Sequence, residues 1–215
     1  MKDNSEPAIH YQKWLDQKIE QIKQLNSTPS LLLHSCCAPC SSYVLAYLSN
    51  FFYITLFFYN PNIYPEQEYN LRLNEQKRFV SQFSSHYRIS FLEGNYEPVV
   101  FYQVIKGWEN EPEGGKRCFQ CYWLRLEKTA QIAKNNRIDY FATTLTISPH
   151  KITQKINEMG RKLQKMYGVQ YLFSDFKKRN GFKRSIELSK QYKLYRQSYC
   201  GCQFSQKKKQ DTQSK

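Results

Sequence analysis

Short apolar runs alternate with longer amphipathic stretches along most of this chain, and that alternation confines it to few architectures. Leu31-Leu32-Leu33 lies between Pro29-Ser30 and a cysteine-rich corner, which fits a strand buried on both faces. Residues 41–48 read as a helix, 52–58 as an aromatic second strand stopping at Asn60-Pro61-Asn62, and 66–83 as an amphipathic helix. Further strands are expected at 89–92, 140–144 and 171–173, with a helix over 117–134 between the third and fourth. Strand and helix alternating in this way predict an α/β fold with a mainly parallel sheet flanked by helices. Such sheets bind ligands beyond the carboxyl ends of their strands. Those ends carry Cys36, Cys37, Asn60, Asn62, Thr143, Thr144 and Asp175, and the two asparagines are expected to meet substrate. A length of 215 residues suits one domain over 30–204, with a partly helical extension over 1–29 and a disordered basic tail over 205–215.

Seven cysteines fall into three groups: Cys36-Cys37-Ala38-Pro39-Cys40, Cys118-Phe119-Gln120-Cys121 and Cys200-Gly201-Cys202. Each stands among glycine, proline or charged residues instead of inside an apolar run, so packing alone does not account for them. The chain opens without a basic start and apolar core, and no apolar run reaches membrane-spanning length. A cytoplasmic protein with no membrane partner is therefore expected. In that compartment thiols stay reduced, and clusters of them bind metal or react. Cys118 and Cys121, three apart on a helix, share one face with Arg125 close by, which is expected to reach substrate. Cys37 and Cys40 offer a second pair at a helix start, which favours thiolate. Four thiolates close a tetrahedral site or hold a cubane cluster. An iron–sulfur cluster, structural zinc and metal-free thiol chemistry all remain open on spacing. Adjacent side chains diverge, so Cys36 and Cys37 are not expected to grip the same single ion, although a larger cluster has room for both. Cys36 with Cys200 and Cys202 makes a three-thiolate site with an open position, or Cys200 and Cys202 form a redox couple.

The net charge of +14 is uneven: residues 1–149 hold 15 basic and 14 acidic side chains, residues 150–215 hold 17 and 4. An excess of +13 in the last third marks a surface for a polyanion, of which nucleic acid is the commonest in the cytoplasm. Part of it belongs to Lys207, Lys208 and Lys209 in the polar tail. The rest centres on a helix expected after Ser148-Pro149, with Ser148 as cap and proline in the first turn. Ile152, Ile156, Met159, Leu163 and Met166 form its apolar stripe, while Lys151, Lys155, Lys162 and Lys165 line up beside it as candidate phosphate contacts.

Together, Leu33-His34-Ser35-Cys36-Cys37-Ala38-Pro39-Cys40, Phe58-Tyr59-Asn60-Pro61-Asn62-Ile63, Arg117-Cys118-Phe119-Gln120-Cys121-Tyr122 with Arg125, Thr143-Thr144-Leu145 and Tyr195-Arg196-Gln197-Ser198-Tyr199-Cys200-Gly201-Cys202 resemble the QueH-type epoxyqueuosine reductases. The likeness runs from about residue 30 to residue 205. It implies reduction of epoxyqueuosine to queuosine in the tRNA anticodon, with a [4Fe-4S] cluster, without cobalamin and with an external electron donor. It also implies a fold similar to the adenine nucleotide alpha hydrolase-like (HUP) superfamily. Cys36, Cys37, Cys118 and Cys121 match cluster-associated positions of the family, and Cys200 and Cys202 match a pair near the reaction centre.

Epoxide removal takes two electrons and two protons. A further iron or other metal ion with a vacant position would bind the oxygen as a Lewis acid. Tyr199, beside Cys200, is the leading proton donor, ahead of Asp175, His34 and His150. Three rivals explain less. A thioredoxin-like oxidoreductase built on Cys37-Ala38-Pro39-Cys40 leaves five cysteines idle, and a zinc-stabilised tRNA-binding module has no use for an open site. A nicotinamide or flavin reductase lacks the G-x-G-x-x-G that should follow a strand.

Overall fold

Five of the six residues of strand β1 (Ser30–Ser35) are buried, as expected of a strand with neighbours on both edges and helices on both faces. It pairs in parallel with β2 (Tyr53–Phe58) on one side and β4 (Tyr140–Thr143) on the other. β3 (Ile89–Glu93) lies beyond β2, and β5 (Gln170–Tyr171) beyond β4. The computed structural model, which describes residues 10–206, is thus built on a five-stranded, all-parallel sheet in the order β3-β2-β1-β4-β5. The α/β architecture expected from the alternation is present.

Side chains alternate across β1 and divide the core in two. Leu31 and Leu33 pack with Leu15, Ile19 and Ile22 of α1 (Tyr11–Gln24), with Val44, Leu45 and Leu48 of α2 (Ala38–Leu48), and with Phe79 of α3 (Glu66–Gln82). On the opposite face Leu32 meets Tyr122, Leu126 and Ala130 of α5 (Lys116–Asn135) and Ile156 and Leu163 of α6 (Thr153–Tyr167). Each fully buried leucine contributes on the order of 2 kcal/mol. The i, i+4, i+7 spacing of Leu15, Ile19 and Ile22 gives α1 one apolar stripe, so this helix joins the core of the sheet.

Several boundaries differ from the sequence reading. α2 starts at Ala38, so Cys40 stands in its first turn. α4 (Pro98–Val104) occupies a stretch where no element was expected. β4 stops at Thr143 because its side chain accepts from Leu145 N at 3.1 Å and starts a 3-10 turn over Thr144–Ile147. Ser148 ends that turn and does not cap α6, which begins at Thr153 after Ile152. Ser148–Lys151 is left as a loop. α7 (Gly181–Gln191) lies against α2. The expected tail falls outside the described residues from 207 onward.

Candidate active site

In the order β3-β2-β1-β4-β5 the chain leaves β1 toward β2 on one side and reaches β4 on the other, so the carboxyl ends of β1 and β4 flank the switch point where ligands bind. β1 runs there into the corner Cys36-Cys37, with Cys37 as N-cap of α2. β4 ends in Thr143 and Thr144. Thr144 Oγ1 accepts from Cys36 N at 3.4 Å and lies 3.6 Å from Cys36 Sγ. The corner is braced from the far side, where Asn60 Nδ2 donates to Ser35 O at 2.9 Å and Ser35 Oγ donates to Gln76 Oε1 at 2.7 Å.

The Sγ atoms of Cys36, Cys37 and Cys40 all lie within 4.8 Å of one another, with Cys36 and Cys37 3.8 Å apart. Two adjacent thiols thus face one point, against the sequence expectation. They sit where a strand turns into a helix, and the alternation of a regular strand does not hold at such a corner. Hydrogen bonding from Cys37 and then Cys40 holds the Cys36 thiol well below its ordinary range. The same bonds, with burial, push Cys37 up to about 12 and Cys40 well above its usual value. Gln197 Nε2 also donates to Cys37 Sγ at 2.8 Å.

The other four thiols gather at the start of α5. Gly114 N donates to Cys118 Sγ at 3.3 Å, and burial raises the Cys118 thiol. Cys121, pushed up to about 12 by burial, shares an apolar cluster with Cys202, Phe101 and Ile105. Cys200 is partly buried and receives Lys151 Nζ at 3.4 Å. Between Cys200 and Cys202, Gly201 has φ +112°, and a Cβ there would stand 2.8 Å from Arg72 Nη1. Only glycine fits that turn. Arg72 Nη1 in turn donates to Cys200 O at 3.1 Å.

Cys36, Cys40 and Cys200 line one cavity of about 600 Å³, together with Arg72, Arg125, Lys151, Arg196, Tyr199 and others. Glu113 is the single carboxylate among its described lining residues. Arg125 is 1% exposed and Arg72 2%. Arg125 donates to Cys121 O at 3.2 Å and Asn60 Oδ1 at 3.3 Å but meets no carboxylate, and the Nη2 atoms of both arginines are buried without a partner. Burial opposes the charge of Lys151, yet Cys200, Tyr122 and Cys36 outweigh it and raise its pKa. A buried cation without an anion costs several kcal/mol. Arg72 is paired with Glu68 at 2.7 Å, but Arg125 and Lys151 meet no carboxylate among the described residues; they fit a centre that brings negative charge, and clustered thiolates binding iron or zinc are such a centre.

The structure separates the expected row of lysines. Lys151 lies in the cavity wall, whereas Lys155, Lys162 and Lys165 are exposed on α6 and Lys155 pairs with Glu158 at 2.9 Å. Ile152 and Met166, expected in the apolar stripe, are 44% and 58% exposed. Asn60 and Asn62 are buried and line no part of the cavity; Asn60 braces the corner while Asn62 Oδ1 has no partner. His34 Nε2 and Nδ1 meet Tyr59 O at 3.0 Å and Thr143 Oγ1 at 2.9 Å; burial, then Arg125, hold its pKa down to about 3. That ring ties strands together. Asp175 pairs with Lys177 at 3.0 Å, while His150 and Tyr199 line the cavity. Tyr199 lies over Arg72, 5.1 Å from ring centre to guanidinium. Sequence reasoning passed over Arg72, one of several charged residues on an expected amphipathic helix, and Gln197, which stands in the Tyr195–Cys202 block without drawing notice.

The family described as Epoxyqueuosine reductase QueH matches residues 31–208, a span that holds all seven cysteines. The chain belongs to the QueH epoxyqueuosine reductase family. Among curated QueH proteins, that of Streptococcus pyogenes is 46% identical over 95% of this chain and 81% of its own length. The Staphylococcus epidermidis QueH is 44% identical over 92% of this chain and 84% of its own length. The Thermotoga maritima QueH is 36% identical over 82% and 90%. No helix among the described residues is long and apolar enough to cross a membrane.

Proposed function

We propose that this protein reduces the epoxide of epoxyqueuosine to queuosine in tRNA, the reaction that names its relatives. The observation that carries this reading is one cavity where thiols of two sequence-distant groups meet the buried guanidinium of Arg125, which has no carboxylate partner among the described residues. The metal ligands are drawn from Cys36, Cys37, Cys40, Cys118 and Cys121, and the reactive pair is Cys200 and Cys202. A [4Fe-4S] cluster held by that set supplies electrons one at a time; a further metal ion and a HUP-like fold belong to the same reading, and cobalamin has no part in it.

Both C–O bonds of the epoxide break, the oxygen leaves as water, and an alkene remains. That change consumes two electrons and two protons. Oxidation of the Cys200–Cys202 dithiol to a disulfide releases the same number of each, and two electrons from an external donor, taken up with two protons, restore the dithiol. Negative charge grows on the departing oxygen. Lys151, Arg72 and Arg125 hold positive charge in the cavity wall, fixed by packing before the substrate arrives, which is the arrangement that stabilises such charge most. Tyr199, on the same wall, is placed to donate a proton.

The test is anaerobic purification with iron and acid-labile sulfide analysis, followed by incubation with dithionite and tRNA bearing epoxyqueuosine. Mass spectrometry of the digested nucleosides should show loss of one oxygen without added cobalamin. Stoichiometric zinc, no sulfide and an unchanged nucleoside would overturn the reading.

A further inference from the structure

The basic last third of the chain is carried by two helices that stand differently toward the cavity. No residue of α6 lines it. α7 and the segment after it supply Phe182, Ser185, Arg196 and Tyr199 to its wall. Residues 176–196 hold eight basic side chains and one acidic one, Glu187. Glu187 is taken by Arg184 at 2.8 Å. Lys178, Lys183, Lys190 and Lys193 are exposed and form no ion pair among the described residues.

Helical geometry connects these charges to the opening. Phe182, Ile186 and Lys190 follow one another at i, i+4 and i+8, so a single ridge runs from the cavity wall to an exposed ammonium, and Lys183 lies beside it. The ridge is firmly seated: a Cβ on Gly181 would stand 2.0 Å from Phe176 O and 2.5 Å from the Tyr43 ring, so only glycine lets α7 approach α2 this closely. Arg196 Nη1 donates to Ser189 Oγ at 3.1 Å, which fixes the following segment to the same helix.

We infer that the flank of α7 carrying Lys183 and Lys190, with Lys193 beyond it, is the surface on which the tRNA backbone lies while one nucleotide enters the cavity past Phe182 and Arg196. This rests on the tRNA substrate proposed above. It moves the phosphate contacts from Lys155, Lys162 and Lys165 to a helix that shares residues with the reaction chamber. A ring and a guanidinium at the entrance suit an unpaired base, which stacks on such groups, and lysines along the adjoining ridge suit the phosphates on either side of it.

Two triple variants decide the matter: K183Q/K190Q/K193Q on α7 and beyond, and K155Q/K162Q/K165Q on α6. Binding of an unmodified transcript of a queuosine-family tRNA is measured at several salt concentrations for both and for the wild type. The α7 triple should bind about tenfold or more weakly at low salt and reduce the slope of log affinity against log salt by about 2 to 3. The α6 triple should stay within about twofold. An unchanged slope in the α7 triple, or loss confined to the α6 triple, would overturn the assignment while leaving the reductase reading intact. A wild type that binds no tRNA at any salt concentration would overturn both.

Discussion

The two thiol groups of this protein are assembled in opposite ways. Cys36, Cys37 and Cys40 come from five consecutive residues on a corner between the central strand and a core helix, and their sulfurs converge within 4.8 Å. Cys118 and Cys121 meet Cys200 and Cys202 across a turn at Gly201, which is held by Arg72 on the Cys200 carbonyl and by Tyr64 N on the Gly201 carbonyl. The first group is as rigid as the sheet. The second depends on a late segment held by a few polar contacts. On the function proposed above, holding suits the trio and movement suits the Cys-Gly-Cys pair, since a dithiol that opens and closes needs slack that a metal ligand does not.

The largest effect expected from this contrast is at the corner. Cys36→Ala and Cys37→Ala should each bring bound iron to background and abolish reduction, read by metal analysis of anaerobically purified protein. Wild-type iron in either variant would take the metal away from the trio. Next come Cys200→Ser and Cys202→Ser, which should lower turnover by about a thousandfold or more while most iron stays, because they remove the reacting couple and not the holder. If both variants lost their iron, the two groups would be one centre. The smallest effect is expected for Gly201→Ala, where positive φ and the approach of Arg72 should cost about 1–2 kcal/mol. Reduced turnover with unchanged iron would show the strain is confined to the movable group; a fall in iron would tie it to the trio.

The sequence carried the sheet more plainly than the site. Leu31–Leu33 and residues 52–58 declared themselves because buried parallel strands are apolar throughout, and α3 and α5 because their apolar positions recur with a helical period. α4 escaped because seven residues are too few to show a period. In the site, cysteine spacing pointed to the right neighbourhood, but which thiols converge depends on a corner whose backbone no spacing rule describes. Lys151 was misplaced for a physical reason: a lysine before an amphipathic helix looks solvated, and the partner that holds it in the cavity wall is Cys200, 49 residues away. Arg125 was read from its helical position and Arg72 was not singled out, because the partners that bring both to the cavity lie far away in sequence: Asn60 for Arg125 and Cys200 for Arg72.

The hydrogen bond from Gln197 to Cys37 spans 160 residues, and that span has a consequence in time. Translation delivers the trio of thiols well before their amide donor, so the corner lacks that hydrogen bond until the segment around Gln197 has been made and has packed. An iron centre inserted at that stage would lie open to water and oxidants.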